Sequence, residues 1–525
     1  MSTPREENML GEESLPTGES LSRDQGLSRN QDNLREQTTR AFKWSYLSLG
    51  VNIVLQPLFA AVLARLLTRE EFGVLASGMV LFVLGNFVAD MGMGAALVQK
   101  PLLTQGNIRA AFTSSLLLGG LMSVSSWLLA PLAGQYFNNQ EVVTLFRGFA
   151  LCYILVSLSI VSANLLRRQM DFRTLALAEV AAFVVGHGLF GLGSAALGYG
   201  AFSLVISTVA QSVLMLVITG YRARSSFKLT FRWADFRDLY AFGSRSSVAG
   251  FADYISQNID TLMIGRLYDL ATLGLYNRAF TLVCTPLMSF SRSVSRVLES
   301  SMSAVQSDRP RLRRAYSLSV TTMSVLLFPV ALGIFVCARE IVLVLLGSKF
   351  LAAVPVVMAL ALYIPFPILA TLSSTLVTAT ARLNTRIAIQ VAYLGVLLLA
   401  FSAAHLLGYG LIGFAGALLL VSVLRCLAYA VVVGNITGGG LRESMRAYAV
   451  GILSGLAVAA PLLLVTVLMR QVHVALPLLF VSELLLGGGL LLSLLLFGPQ
   501  TELQGMLRRR ARSLLGGRLG RWSKT

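Results

Sequence analysis

Runs of about 20 apolar residues recur along almost the whole of this chain, the length an α-helix needs to cross a ~30 Å hydrocarbon core. That pattern leaves few folds open. In lipid every backbone N–H and C=O needs a partner within the protein, so a spanning segment is a helix or part of a closed barrel. The barrel signature, short alternating strands flanked by aromatic girdles, is absent. Only 13% of the 525 residues are charged, against about 25% in a soluble domain, which is too little polar surface to meet water on every side. The sequence therefore predicts an all-α polytopic membrane protein. About fourteen spans are expected, at 45–67, 73–97, 111–134, 142–165, 175–197, 200–220, 239–264, 272–298, 315–338, 355–379, 387–407, 411–434, 447–469 and 474–497.

The net charge of +18 would suit nucleic acid if it were gathered on one surface. It is sorted by loop instead. One alternating set of loops holds Lys100 and Arg109, Arg167, Arg168 and Arg173, the run from Arg222 to Arg237, Arg309 to Arg314, Arg382 and Arg386, and Arg442 and Arg446. The other set holds Arg69, Arg147, Arg339, Lys349, Arg470 and a few residues at helix ends. The positive-inside rule puts the first set, and with it both termini, in the cytoplasm. An even number of spans requires the same. The charge is thus a topology signal, with a weak attraction to anionic lipid headgroups as a by-product, and no nucleic-acid partner is expected. Residues 1–42 are polar and predict a disordered cytoplasmic tail. No apolar core follows a short basic start, so no cleavable signal is expected. Residues 499–525 read as a second, basic tail. Cys152, Cys284, Cys337 and Cys426 lie in apolar runs without metal-ligand spacing and read as small apolar fillers.

The two halves resemble each other. RLLTREEFGVL at 65–75 aligns with RLYDLATLGLY at 266–276, pairing Arg65 with Arg266 and Gly73 with Gly274 at an offset of 201. The same register pairs Gln56 with Gln257 and Asn52 with Asp253. LGYG at 197–200 recurs at 407–410, an offset of 210. Each repeat holds six spans, an even number, so both halves keep one orientation. That is the parallel repeat of transporters, related by an axis along the membrane normal. The expected organisation is an N-lobe at 43–222, a linker at 223–238, a C-lobe at 239–434 and an appended hairpin of two spans at 435–498.

Some spans carry polar stripes. Asp253, Gln257 and Asp260 follow i, i+4, i+7 spacing and share one helix face. Asn52 and Gln56 repeat that face in the first half, Asn86 and Asp90 lie on the second span, and Arg278 to Glu299 line one side of the eighth. Such groups do not face lipid. They either bond across helices or line a water-filled cleft between the lobes, and repetition in both halves favours the cleft. Arg65, Arg266 and Arg292 also lie near helix ends, from which arginines snorkel to the interface. Arg278 and Arg425 lie too deep for that, and their forked donors suit phosphate. The candidate substrate-binding set is Arg65, Arg266, Arg278, Arg425, Asn52, Gln56 and Gln257. Asp90, Asp253 and Asp260 would position those arginines or carry a coupling ion. His187 and His405 read as packed core histidines before proton relays. The glycine runs at 438–440 and 487–489 lack the Lys-Ser/Thr of a phosphate loop, so no nucleotide site or cofactor is expected. The sequon at Asn435 reads as accidental, and prolines 329, 355, 365 and 367 mark breaks or hinges in spans nine and ten.

Four stretches resemble a known family. They are ARLLTREEFGVLASGMVLFVLGNFVADMGMGAALVQK at 64–100, NLLRRQMDFRTLALAE at 164–179, NIDTLMIGRLYDLATLGLYNRAF at 258–280 and LFPVALGIFVCAREIVLVLLGSKF at 327–350. The chain resembles the polysaccharide flippases of the MATE/MurJ/Wzx (MOP) superfamily, most closely the WzxC-like branch. The resemblance implies two six-helix lobes around a central cavity in a bacterial inner membrane. It also implies alternating access for a polyprenyl-diphosphate-linked oligosaccharide, with polymerase or export machinery as further partners. By position Arg65, Arg266, Arg278 and Arg425 fit the cationic cavity of such proteins. Two alternatives fit less well. A multidrug antiporter of the same fold needs an acidic, aromatic cavity. A membrane polymerase or ligase needs a sizeable outer loop, and every loop on that side is short. A third class, a scaffold within an export complex, stays open, with the basic C-terminal tail to dock a partner or bind lipid. No catalytic residues are expected.

Overall fold

The computed structural model describes residues 58–100, 103–223, 228–304, 308–380, 382–472 and 474–497, with a few single positions between 44 and 56. The tails at 1–42 and 499–525, and Asn52, lie outside the described residues. The first half comprises α1 at 58–66, α2 (Arg69–Asp90), α3 (Met93–Gln99), α4 (Gln105–Phe137), α5 (Gln140–Arg168), α6 (Phe172–Phe183), α7 (Leu192–Ala196) and α8 (Ser203–Ala223). The second half comprises α9 (Trp233–Leu267), α10 (Leu270–Ala304), α11 (Arg309–Val336), α12 (Ala338–Leu345), α13 (Val354–Tyr363), α14 (Pro365–Ala379), α15 (Leu383–Leu406) and α16 (Gly410–Thr437). The terminal hairpin is α17 (Gly440–Gln471) and α18 (Leu476–Phe497).

Eleven spans among the described residues are long and apolar enough to cross a membrane. At 35 residues each, α9 and α10 are longer than any of them, yet fall outside that set because polar stripes interrupt their apolar sequence. The sequence expectation of fourteen counted these two and the partly described first span.

Several spans are built from more than one helix. The second breaks at Met91 and Gly92, whose φ of 44° and 75° are left-handed, and Asp90 Oδ1 caps α3 by accepting from the Gly94 N–H at 3.1 Å. The fifth contains a π-helical segment, Val184–Gly191, between α6 and α7. The tenth breaks at Ile364, where Pro365 opens α14; proline suits that place because a first-turn N–H has no intrahelical partner. Pro329, by contrast, lies within an unbroken α11. Between spans nine and ten, where only a short connection was expected, α12 and a 3₁₀ turn (Ser348–Ala353) fold.

The repeat is visible bond by bond. The α1–α2 turn has Leu67 N–H donating to Leu63 O and Phe72 N–H to Thr68 O; the α9–α10 turn has Tyr268 to Ile264 and Leu273 to Asp269, each 201 residues on. Both second helices start under a side-chain cap at matching positions, Thr68 accepting from Glu71 N–H and Asp269 from Thr272 N–H. The two Gly-Tyr-Gly turns are copies as well. Leu197, Gly198 and Tyr199 donate to Gly193, Ala195 and Ser194, while Leu407, Gly408 and Tyr409 donate to Ala403, His405 and Ala404. Gly198, Gly200, Gly408 and Gly410 all have positive φ, as both turns require.

Within the first half α2, α4, α5 and α8 pack together, with Phe82 stacked on Phe149 at 4.6 Å. Within the second, α16 packs on α13, α14 and α15. The hairpin joins the second half through α17, whose Gly451 and Gly455 let it approach Ser324 and Phe328 of α11. At the other end of α17, Arg470 clamps the buried Glu340 of α12 through two bonds of 2.9 and 2.7 Å. Glu483 of α18 accepts from Thr466 of α17 at 2.9 Å. All four cysteines are buried and unbridged.

Candidate functional site

The halves meet where α2 crosses α10. The crossing is backbone on backbone: a Cβ on Gly73 would overlap the Leu270 carbonyl, and one on Gly274 would overlap the Arg69 carbonyl. These are the two glycines that the repeat pairs. Only residues without a side chain allow such an approach, which maximises dispersion contact between the helices.

Cross-lobe bonds ring this crossing at the end of the bundle opposite the basic loops. A terminal nitrogen of Arg65 donates to Val344 O at 3.3 Å, Lys349 Nζ donates to Arg65 O at 3.3 Å, and Arg69 donates to the Lys349 carbonyl. On the matching side Arg266 donates to Gln135 O and Tyr136 O at 3.3 and 3.0 Å, and the Tyr136 hydroxyl donates to Leu262 O at 3.2 Å. Phe72 of α2 meets Phe350 of the second half edge-on at 5.8 Å. Arg65 and Arg266 are exposed and sit at this rim, not in the depth of the bundle.

Deeper lie Arg278 and Arg425, both half-buried. The Arg278 guanidinium stands 4.1 Å over the Phe72 ring of the other half and gives one bond to Asn277 Oδ1 at 3.1 Å. The Arg425 guanidinium stands 4.1 Å over Tyr393. Among the described residues the buried Nε of each has no hydrogen-bond partner. Buried polar groups in native proteins are nearly all satisfied, so these orphaned Nε groups within spans leave a donor open to a ligand or water; Arg109 and Arg147 each carry a buried Nε in the same state.

The acidic candidates lie elsewhere. Asp260 is buried, accepting from the Tyr276 hydroxyl at 2.5 Å and from Thr261 N–H at 2.8 Å. Asp90 caps α3. Among the described residues neither carboxylate pairs with an arginine. Asp253 lies on α9, with its side chain outside what the structure describes. Gln56 and Gln257 are both exposed, nine residues before Arg65 and Arg266 respectively; along α9 that puts Gln257 ~13 Å from Arg266. An amide at that depth faces water more readily than lipid. His187 is packed between Phe59 and Phe183, at 5.1 and 4.7 Å, and its Nδ1 has no partner among the described residues.

Residues 62–355 match the model of a family described as polysaccharide biosynthesis protein. The chain belongs to this polysaccharide biosynthesis protein family. The lipopolysaccharide biosynthesis protein WzxC of Escherichia coli K12 is 24% identical to it over 330 residues, covering 62% of this chain and 67% of WzxC. The succinoglycan biosynthesis transport protein ExoT of Rhizobium meliloti is 27% identical over 328 residues, covering 62% and 65%. Among solved structures, the lipid II flippase MurJ in an inward closed conformation superposes with a TM-score of 0.66 at 16% identity, covering 86% of this chain and 97% of MurJ. The chain thus shares the fold of the lipid II flippase MurJ.

Sequence reasoning passed over the aromatic supports, Phe72 and Tyr393, and the whole α12 rim. Aromatic and aliphatic residues in a span look alike in a hydropathy pattern. Gly73 and Gly274 were visible as repeat markers, but their role rests on what lies opposite them.

Proposed function

We propose that the protein flips a lipid-diphosphate-linked oligosaccharide, such as an O-antigen or exopolysaccharide repeat unit, across the bacterial inner membrane. The observation that carries this reading is the pair of half-buried arginines, Arg278 and Arg425, each held over an aromatic ring with its Nε unpartnered inside a bundle of transporter fold. Guanidinium forks bind phosphate oxygens bidentately. In the low dielectric between lobes they strengthen that attraction further. The names of the relatives, a lipopolysaccharide and a succinoglycan protein, support the substrate class.

The basic loops orient the chain with both termini in the cytoplasm. The glycine crossing and its ring of arginine bonds then close the outer end, leaving entry from the cytoplasmic side. Gln56 and Gln257 line the hydrated path toward Arg278, while the lipid tail stays in the bilayer. Alternating access follows if the α2–α10 crossing parts and the cytoplasmic ends close. A coupling role for Asp260 is weaker than a structural one, since Tyr276 and Thr261 already occupy its oxygens.

The test is flipping of a fluorescent polyprenyl-diphosphate sugar in vesicles holding the purified protein. Wild type should expose the sugar to the far side, and Arg278→Ala should not. Equal movement by both proteins removes Arg278 from the site. Movement of organic cations in place of the diphosphate sugar would favour an antiporter. Cysteine labelling should find positions 228 and 313 inside and 349 outside; the reverse overturns the orientation.

A further inference from the structure

A cleft of about 570 Å³ opens beside α11 at the basic end of the bundle. Arg309, Arg313 and Arg314 form its mouth, and Ser317, Thr321 and Thr437 line it further in. None of its lining residues comes from α1 to α10, so it stands apart from the seam between the lobes. From Arg309 to Thr321 it follows the axis of α11 for ~18 Å.

Its shape follows from the turn between α16 and α17. Gly438 and Gly440, with φ of 72° and 67°, fold the chain back sharply and bring the start of α17 beside the start of α11. Glu443 of α17 then takes Arg313, whose Nε donates to Glu443 Oε2 at 2.7 Å. That bond neutralises one arginine and fixes one wall. Arg309 and Arg314 are exposed, Ser317 and Thr321 half-buried, and none of these four side chains has a hydrogen-bond partner among the described residues. The cleft therefore presents two uncommitted guanidinium forks over an interior of hydroxyls. That order, cationic mouth and hydroxyl-lined depth, matches a phosphodiester joined to a polyol.

We infer that this cleft binds the headgroup of an anionic phospholipid of the cytoplasmic leaflet. Arg309 and Arg314 hold the phosphate, and Ser317 and Thr321 meet the polyol. Charge-assisted bonds from arginine to phosphate are among the strongest polar contacts. Basic pockets between spans at the cytoplasmic side meet anionic headgroups directly. A soluble phosphate offers the same anion without the polyol or the acyl anchor.

The experiment uses the full-length protein in detergent, titrated with short-chain phosphatidylglycerol, phosphatidylcholine or inorganic phosphate. Bound lipid is read by native mass spectrometry and fold integrity by the melting midpoint without lipid. Phosphatidylglycerol should bind at least about tenfold more tightly than phosphatidylcholine, and the double variant Arg309→Gln/Arg314→Gln should lose that preference. Thr321→Phe, which fills the inner cleft and keeps every charge, should weaken binding as well. Arg222→Gln, at the same end but paired with Asp171 at 3.7 Å, should leave it unchanged. Undiminished phosphatidylglycerol binding by the double variant overturns the inference. So does an equal loss in Arg222→Gln, which would mean diffuse charge. Displacement of the lipid by inorganic phosphate at matching concentrations assigns the cleft to a soluble anion and also overturns it.

Discussion

The two halves share the backbone of their turns and differ in chemistry. Their first turns, caps and Gly-Tyr-Gly corners match bond for bond. Their polar positions do not. At the repeat offset of 201, Arg278 stands where the first half has Ser77, and Asp260 where it has Phe59. At the offset of 210, Arg425 stands where it has Met215. Ser77 is buried and its hydroxyl is spent on the Val74 carbonyl of its own helix, at 2.8 Å. The first half supplies an aromatic wall, Phe72, and the second supplies the cation over it. On the proposed function, symmetry is kept where two bundles pack and part, and dropped where one anionic group binds. A single diphosphate needs one cationic patch, whereas rocking about a central axis needs two equal hinges.

The largest effect should come from the glycine crossing. Gly73→Ala or Gly274→Ala drives a methyl into a facing backbone carbonyl. Overpacking of this kind costs about 1–3 kcal/mol, and backbone cannot move aside as a side chain does. Each substitution should reduce export of the polymer to background while the protein stays inserted. Gly120→Ala, on α4 with open space around it, should export normally. Normal export by one of the pair and not the other would break the symmetry of the scaffold.

Next in size are the arginines, where the comparison predicts inequality. Arg278→Ala removes a charged donor whose bonds are worth about 1.5–3 kcal/mol each, so substrate affinity should fall about tenfold or more. Arg425→Met installs the residue found at the matching place in the first half and should lose a similar factor. Arg278→Lys keeps the charge without the fork and should fall between Ala and wild type. Ser77→Ala should change transport little. Transport assays normalised to protein in the membrane separate these outcomes. A loss in Ser77→Ala equal to that in Arg278→Ala would mean that both halves bind.

How much of this was legible without coordinates depends on whether a property is local. Spans, breaks at Pro365 and the repeat are written in apolar length, proline and glycine, all of which act within a turn or two. The stripe on α9 was legible as a stripe, but not as two fates: Gln257 exposed and Asp260 sealed against Tyr276. Residues three apart on a helix differ by about 60° in direction, and only the neighbouring helix decides which side is dry. Arg65 and Arg266 were read as lining the cavity, with snorkelling as the other reading; the structure puts them at helix ends on the rim. Their partners are backbone carbonyls, Val344 of α12 for Arg65 and Gln135 and Tyr136 of α4 for Arg266, and carbonyls leave no trace in a sequence.

That rim gives the smallest expected effect and the finest test of equal hinges. Arg65 and Arg266 each donate across the seam to main-chain carbonyls. Both are exposed, so water competes for them and each latch contributes only about 1 kcal/mol. Arg65→Gln or Arg266→Gln should therefore raise the population open at this end several-fold. Leu270 is buried beneath the crossing, and a Leu270→Cys background reports opening by its rate of maleimide labelling. The native cysteines are all buried and give a low baseline. The two single variants should accelerate labelling by similar factors, because they occupy matched positions on opposite sides of one axis. The double variant should accelerate it by about the product, since the two sites share no bonding partner and their free energies add. A rate unchanged in both singles would make the rim bonds incidental to closure. A rate raised by Arg266→Gln alone would place the hinge on the α4 side, and the equal-hinge account would fall with it.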